Sequence, residues 1–281
     1  MHETLRGVDR DRLERSCGPG ENRIRLGACA PGIQTADVRL TSCAFERHRH
    51  DTYAIGITTA GVQRFWYRGE RRLCLPGQIH VLHPDEVHDG GPGSPGGFAY
   101  RILYVDPALI RDALGDAPLP FVSEPVHDEG PATRDLHVLL GTLDGPVSDL
   151  ARHEAAVTVA DALLALGGRP AEQAPIDLAA VRRVRDHLAA HAREHTPASE
   201  LERISGLSRY SLARQFRRAY GTSPDRFRTM RRLELAREAI GSGVPLAAAA
   251  ADSGFADQSH MTRQFTRTYG MTPGRWAAVA S

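Results

Sequence analysis

Two groups of side chains in this sequence of 281 residues have the types and spacing that chemistry needs. The first is histidine: five of thirteen fall between residues 48 and 88, as His48, His50, His80, His83 and His88. His48 and His50 are one residue apart, so a strand would project both from one face, as two metal ligands or two groups lining one pocket require. With His88 as a third imidazole they offer the nitrogens of an iron or zinc site. The rival is a metal-free pocket in which His48, His50, Tyr53 and His88 contact a small organic molecule. The plainest reading is hydrogen bonding within a β-rich mouth. The metal-free pocket is the reading adopted, with no metal, no cofactor and no catalytic residue expected.

The second group is a phrase that occurs twice, "SLARQFRRAYGTSP" from Ser211 to Pro224 and "HMTRQFTRTYGMTP" from His260 to Pro273. Aligned without gaps, residues 208–227 and 257–276 agree at eight of twenty positions, among them Arg214/Arg263, Gln215/Gln264, Phe216/Phe265, Tyr220/Tyr269 and Gly221/Gly270. That is a duplication, and two copies are too few for a solenoid. Leu212, Phe216 and Tyr220 recur at i, i+4 and i+8, as do Met261, Phe265 and Tyr269, so each stripe is expected to bury against a preceding short helix. The faces left outward carry Arg209, Tyr210, Ser211, Arg214 and Arg217 in the first copy and Gln258, Ser259, His260, Thr262 and Arg263 in the second. An α-helix fits the major groove of DNA, where Arg grips guanine, Gln pairs with adenine, and Ser or Thr touches a base or a methyl group. Helix, tight turn and second helix make a helix-turn-helix unit. One Arg-rich helical face alone is usually a solvated surface. Two copies, each with polar readers on its second helix, point to double-stranded DNA.

The elements around these groups divide the chain. From Val38 to Val105, short β-prone runs such as "VRLTSCAF", "TYAIGITT", "QRFWY" and "FAYRILYV" alternate with Gly, Pro and Asp, which predicts an antiparallel sandwich or barrel. "DLARHEAAVTVADALLAL", Asp149 to Leu166, predicts a helix of four to five turns. The Gly- and Pro-containing stretch 167–175 predicts a linker between a domain over 1–166 and an all-helical domain over 176–281. Within the latter, helix-turn-helix units are placed at about 197–220 and 245–269, joined by a long helix that opens at Pro224 and ends near Gly241.

Charge follows the same division. All 35 cationic residues are Arg; residues 1–175 carry 18 of them against 24 acids, and residues 176–281 carry 17 against 10. A basic C-terminal half beside an acidic N-terminal half is the electrostatic footprint of a nucleic-acid binder. The charged opening "MHETLRGVDRDRLERSCGPG" lacks the apolar core of a secretory signal, and no stretch has the roughly 18 apolar residues of a membrane span, so a cytoplasmic location and no membrane partner are expected. Cys17, Cys29, Cys43 and Cys74 form no CxxC pair, so reduced thiols are expected.

"SGLSRYSLARQFRRAYGTSPDRF" and "SGFADQSHMTRQFTRTYGMTPGRW" resemble the two signatures of the AraC/XylS family of bacterial transcription regulators, and residues 176–281 look like its seven-helix DNA-binding domain. More loosely, "FERHRHDTYAIGITTAGVQRFWYRG" and "PGQIHVLHPDEVHDG" resemble the cupin-type effector domain common in that family. In cupin enzymes a Glu follows the second His of the first motif, whereas "HDTYAIG" offers Tyr53 and no carboxylate beyond Asp51. The resemblance implies a two-domain α+β protein, with an N-terminal antiparallel barrel that binds an effector and a C-terminal double helix-turn-helix domain. It implies a regulator, usually an activator, with promoter DNA, a small-molecule effector and RNA polymerase as partners. A homodimer through residues 132–166 follows from family habit. The alternative is a metal-binding cupin, sensor or enzyme, fused to a DNA-binding domain.

Overall fold

The computed structural model describes residues 22–115, 117–145, 147–167 and 175–279. Most of the expected linker, residues 168–174, lies outside them, as do Cys17 and the charged opening. The N-terminal half is built from ten strands: β1 (Arg23–Ala30), β2 (Ile33–Leu40), β3 (Phe45–His48), β4 (Tyr53–Gly61), β5 (Gln63–Tyr67), β6 (Glu70–Cys74), β7 (Ile79–Leu82), β8 (His88–Pro92), β9 (Phe98–Val105) and β10 (Val126–His127). They form a six-stranded sheet, ordered β1-β2-β9-β4-β7-β10, and a four-stranded sheet, ordered β3-β8-β5-β6. Every pairing is antiparallel. Local alternation writes these strands: in β2, Ala36, Val38 and Leu40 bury on one face of the sheet and Ile33 on the other, while Arg39 is exposed.

The two sheets do not close on each other. The expected barrel is therefore corrected to a two-sheet β-domain with β1 and β10 as the outer strands of one sheet and β3 and β6 as those of the other. Short strands such as β10, with two residues, supply too few ladder hydrogen bonds to continue the sheet around a cylinder. One thiol expectation also fails: Cys43 is disulfide-bonded, whereas Cys29 and Cys74 are free.

Three helices follow on this domain, α1 (Pro107–Ala113), α2 (Arg134–Thr142) and α3 (Asp149–Gly167). Leu136, Leu140, Val159 and Leu163 from α2 and α3 bury against Ile55, Ile79, Leu103 and Val105 of the larger sheet. The rest is helical: α4 (Leu178–Ala190), α5 (Ala198–Ser205), α6 (Arg209–Tyr220), α7 (Pro224–Gly241), α8 (Leu246–Asp252), α9 (Gln258–Tyr269) and α10 (Pro273–Val279). Their boundaries obey capping chemistry. Ser208 accepts from Ser211 N–H, Asp257 from His260 N–H and Asp177 from Ala180 N–H, each satisfying an orphan donor of a first turn. Gly221 and Gly270 end α6 and α9 in the left-handed region, at φ 71° and 69°, where a side chain is unfavourable. Among the described residues no helix is long and apolar enough to cross a membrane.

The two halves share a core. One cluster of buried residues runs from Val38, Phe65 and Ile102 of the sheets into Met230, Leu233, Met261, Phe265 and Trp276 of the helices. The other helix-turn-helix unit packs Leu212, Phe216 and Tyr220 on Val181, Val184 and Leu188 of α4, with Ala108 of α1 at its edge.

Candidate effector pocket and nucleic-acid interface

The strand register brings the first histidine group together. His48 of β3 and His88 of β8 are direct cross-strand partners, which sets their ring centroids 4.3 Å apart. His50 follows two residues after His48, so it falls on the same side, 4.8 Å from His88. Each ring is fixed by a main-chain carbonyl: His48 Nδ1 donates to Glu46 O at 2.7 Å, His50 Nδ1 to Thr52 O at 3.0 Å and His88 Nδ1 to Glu86 O at 2.9 Å. Burial, then the neighbouring His88 ring, holds His48 and His50 well below the usual histidine range, and burial lowers His88 as well. All three are neutral at pH 7. Among the described residues no group of three or more His, Cys, Asp or Glu side chains is arranged to hold a metal ion.

These rings line one end of a cavity of about 160 Å³. Its walls are Ile24, Leu26, Val38, Phe65, Tyr100 and Ile102 from the strands, and His80 faces it too. Burial lowers the His80 pKa to about 3, and its Nδ1 has no hydrogen-bond partner among the described residues. Tyr53, expected beside the histidines, is elsewhere. It packs in the core under α2 and α3, and its hydroxyl donates to Pro120 O at 3.3 Å. The parity of β4 explains this. Four consecutive residues of that strand, Tyr53–Gly56, are buried on both faces, so alternation does not say which side looks into the cavity. His83 is also outside, its Nε2 accepting from Val122 N–H at 3.1 Å.

The cavity's far wall comes from the helical half: Met230, Glu234 and Arg237 of α7, Thr268 and Tyr269 of α9, and Met271 and Trp276. Only the stripe Met230, Glu234, Arg237, recurring at helical spacing on α7, hinted that this face is occupied. Asp51 sits at the seam, 4% exposed, with Oδ2 2.9 Å from Arg231 Nη2. Burial pushes the Asp51 carboxyl up, and Glu234, also raised by burial, reaches about 7.

Beyond the cavity, the β-domain grips both repeated helices at the same place. The guanidinium of Arg111 on α1, 1% exposed, donates to Ala219 O at 2.8 Å and Arg218 O at 2.7 Å, at the C-terminal end of α6. Glu46 N–H donates to Gly270 O and Arg49 N–H to Arg267 O, both at 2.9 Å, at the C-terminal end of α9. These carbonyls have no partner inside their own helix, and a cation at a helix C-terminus is favoured by the dipole. The duplicated glycines make the approach possible. A Cβ on Gly221 would meet Pro84 Cβ at 2.6 Å, and one on Gly270 would meet His48 Nδ1 at 2.8 Å.

The opposite ends of α6 and α9 are open. Tyr210 is 74% exposed, and Arg214 and Arg263 are exposed and make no ion pair or hydrogen bond among the described residues. Ala213, Gln258 and Ser259 are exposed, and Thr262 is half-buried. Four expected readers have other partners. Arg209 bonds Glu202 through Nε at 3.3 Å, Ser211 Oγ accepts from Gln215 Nε2 at 3.0 Å, and the half-buried His260 ring packs edge-on to Phe255. Arg217 is exposed, 3.5 Å from Asp85 of the β-domain. The Asp85 carboxylate, 8% exposed, also has Arg49 at 3.6 Å and Arg226 at 3.8 Å, so it stays paired if the exposed Arg217 turns to another anion.

Comparison with known proteins agrees with this geometry. Residues 30–159 match the model of the AraC-like ligand binding domain, and residues 201–278 match that of a helix-turn-helix domain. The uncharacterized HTH-type transcriptional regulator YbfI of Bacillus subtilis is 26% identical over 234 residues, 77% of this chain and 81% of that one. Among solved structures, ToxT from Vibrio cholerae has the same fold, with a TM-score of 0.64 at 13% identity over 88% of this chain and 98% of that one. A second ToxT structure, with a bound unsaturated fatty acid, gives a TM-score of 0.62 at 13% identity over 88% and 94%.

Proposed function

Because the chain belongs to the AraC family of transcription regulators, with an N-terminal ligand-binding domain and a C-terminal helix-turn-helix DNA-binding domain, we propose that it is an effector-controlled activator of promoter DNA, without catalytic activity, working in the cytoplasm. The observation that carries this reading is the cavity walled by both halves of the chain. A small molecule there touches Met230, Glu234 and Trp276 as well as the histidines, so its binding energy differs between the docked arrangement and any other. This revises the expectation of a pocket within the β-domain alone. ToxT has been solved with an unsaturated fatty acid bound, and this supports an organic effector here. RNA polymerase is the partner an activator needs. Val138, Leu150 and Val157, exposed on α2 and α3, support pairing of two chains across that face.

The readers are Arg214, Tyr210 and Arg217 on α6 and Gln258, Ser259, Thr262 and Arg263 on α9. Arg209, Ser211 and His260 serve after exchanging their present partners. Replacing Arg214 with Ala is expected to weaken specific binding by about 1–3 kcal/mol and to relax preference at one base pair. A binding-site selection with the variant reads this out, and unchanged selectivity removes Arg214 from the readers.

The two units divide the work unequally. α6 carries Arg209, Arg214, Arg217 and Arg218, against Arg263 and Arg267 on α9. Arg217→Ala should lower the slope of log affinity against log salt by about one contact, and Gln258→Ala should leave it nearly unaltered. Equal slope changes in the two variants would contradict this division.

A further inference from the structure

The polar end of the cavity has a fixed hydrogen-bonding polarity. A main-chain carbonyl can only accept, so the imidazole nitrogen facing it must carry the proton. Nδ1 of His48, of His50 and of His88 each faces such a carbonyl, at 2.7, 3.0 and 2.9 Å, and the Thr52 hydroxyl, 3.2 Å from His50 Nδ1, can accept from the same N–H. In the neutral ring, Nε2 is then left as a lone-pair acceptor. Charging the ring would turn that nitrogen into a donor, but burial opposes this in all three. His80, 1% exposed, adds a fourth neutral imidazole, whose Nδ1 lacks a partner among the described residues. Buried polar atoms without partners are rare in native proteins and costly to keep.

The floor beneath these acceptors is hydrocarbon, from Leu26, Val38, Phe65 and Ile102. The volume, about 160 Å³, is close to the ~150 Å³ of an apolar cavity that holds one benzene. Charge argues against an anion. A carboxylate would meet three lone pairs, the nearby Arg231 is already held by Asp51 and Glu234, each at 2.9 Å, and among the lining residues Arg237 is the one guanidinium left to it. A plain hydrocarbon would fill the floor and leave the acceptors unpaired.

Resting on the reading of this cavity as the effector site, we infer that its ligand is a small uncharged molecule with a single apolar ring and a hydroxyl donor, the class of the simple phenols, whose O–H donates to Nε2 in the His48–His50–His88 group. Selectivity follows from the pairing, because a site built to bond a hydroxyl rejects the analogue that lacks it.

The test uses the full-length protein at pH 7.5 and three probes of similar size: 4-methylphenol, toluene and benzoate. Trp276 lines the cavity, so tryptophan fluorescence reports occupancy, with thermal shift as a second readout. The expected result is 4-methylphenol binding at least about tenfold more tightly than either other probe. In His50→Phe and His88→Phe the preference for 4-methylphenol over toluene should collapse toward one while toluene still binds. Should either variant fail to fold, the ranking by the unaltered protein decides. Benzoate binding most tightly would overturn the proposal in favour of an anion site at Arg237. Stoichiometric zinc or iron in the purified protein would assign the lone pairs to a metal and overturn it too. Binding of none of the three probes would also reject the class. Control of DNA binding is measured separately: 4-methylphenol that binds without changing DNA affinity leaves the ligand class standing and removes the cavity's regulatory role.

Discussion

Acidification from pH 7.5 to pH 5 is expected to destabilise the β-domain markedly. Burial lowers His80 and His83 to about 3 and 4, so both remain neutral in the folded chain while their unfolded counterparts, near 6.5, take up protons. A group with a depressed folded pKa that is neutral when deprotonated gives stability above its unfolded value, and loses it as pH falls toward the folded one. At pH 5 each of these two forfeits about 2 kcal/mol. His48, His50 and His88 act in the same direction. Glu234 opposes them. Held at about 7 by burial, it favours the folded state as pH falls through 7 and returns about 2 kcal/mol, with Asp51 adding in that sense. The histidines prevail, and the net loss is large against a typical total of about 5–15 kcal/mol. Thermal midpoints measured in half-unit pH steps should fall steeply below pH 6.5. A midpoint constant from pH 7.5 to pH 5 would show that the rings are not neutral and buried in solution.

The other large effect belongs to the seam. Asp51→Ala removes the carboxylate partner of Arg231 from a position 4% exposed, leaving the guanidinium with Glu234 at 2.9 Å and the Phe227 ring at 4.8 Å. Breaking a buried pair from one side is more damaging than replacing both members, because one charge stays behind. About 3 kcal/mol should be lost in urea unfolding at neutral pH, and the double variant Asp51→Ala/Arg231→Met should recover much of it. A loss below about 0.5 kcal/mol would mean that the pair adds nothing to docking.

What sequence could and could not disclose follows from the range of the interactions. The helix-turn-helix pairs were legible because their determinants are local: caps at Ser208 and Asp257, stripes at i, i+4 and i+8, and terminating glycines. His48 and His50 were legible as neighbours for the same reason, and His88 was joined to them by strand register. Tyr53 was misplaced because a strand buried on both faces has no polar side to mark its phase. Closure of the sheet was misjudged because alternation describes a strand's faces and says nothing about whether its edge finds a partner. The helical wall of the cavity was marked by nothing beyond the spacing of Met230, Glu234 and Arg237. It exists through docking of segments nearly two hundred positions apart, as in Arg231 with Asp51.

The grip on Gly221 and Gly270 has a geometric corollary. The β-domain holds α6 and α9 by their tails while Tyr210, Arg214, Gln258 and Arg263 stay exposed on the leading half of each helix, much as a hand holds the two legs of a pair of dividers. If these residues read bases as proposed, moving a tail swings a tip without altering the letters that tip can read. A ligand that shifts the β-domain would thus select operators by the distance and rotational phase between their two half-sites, leaving the base preference within each half as it was.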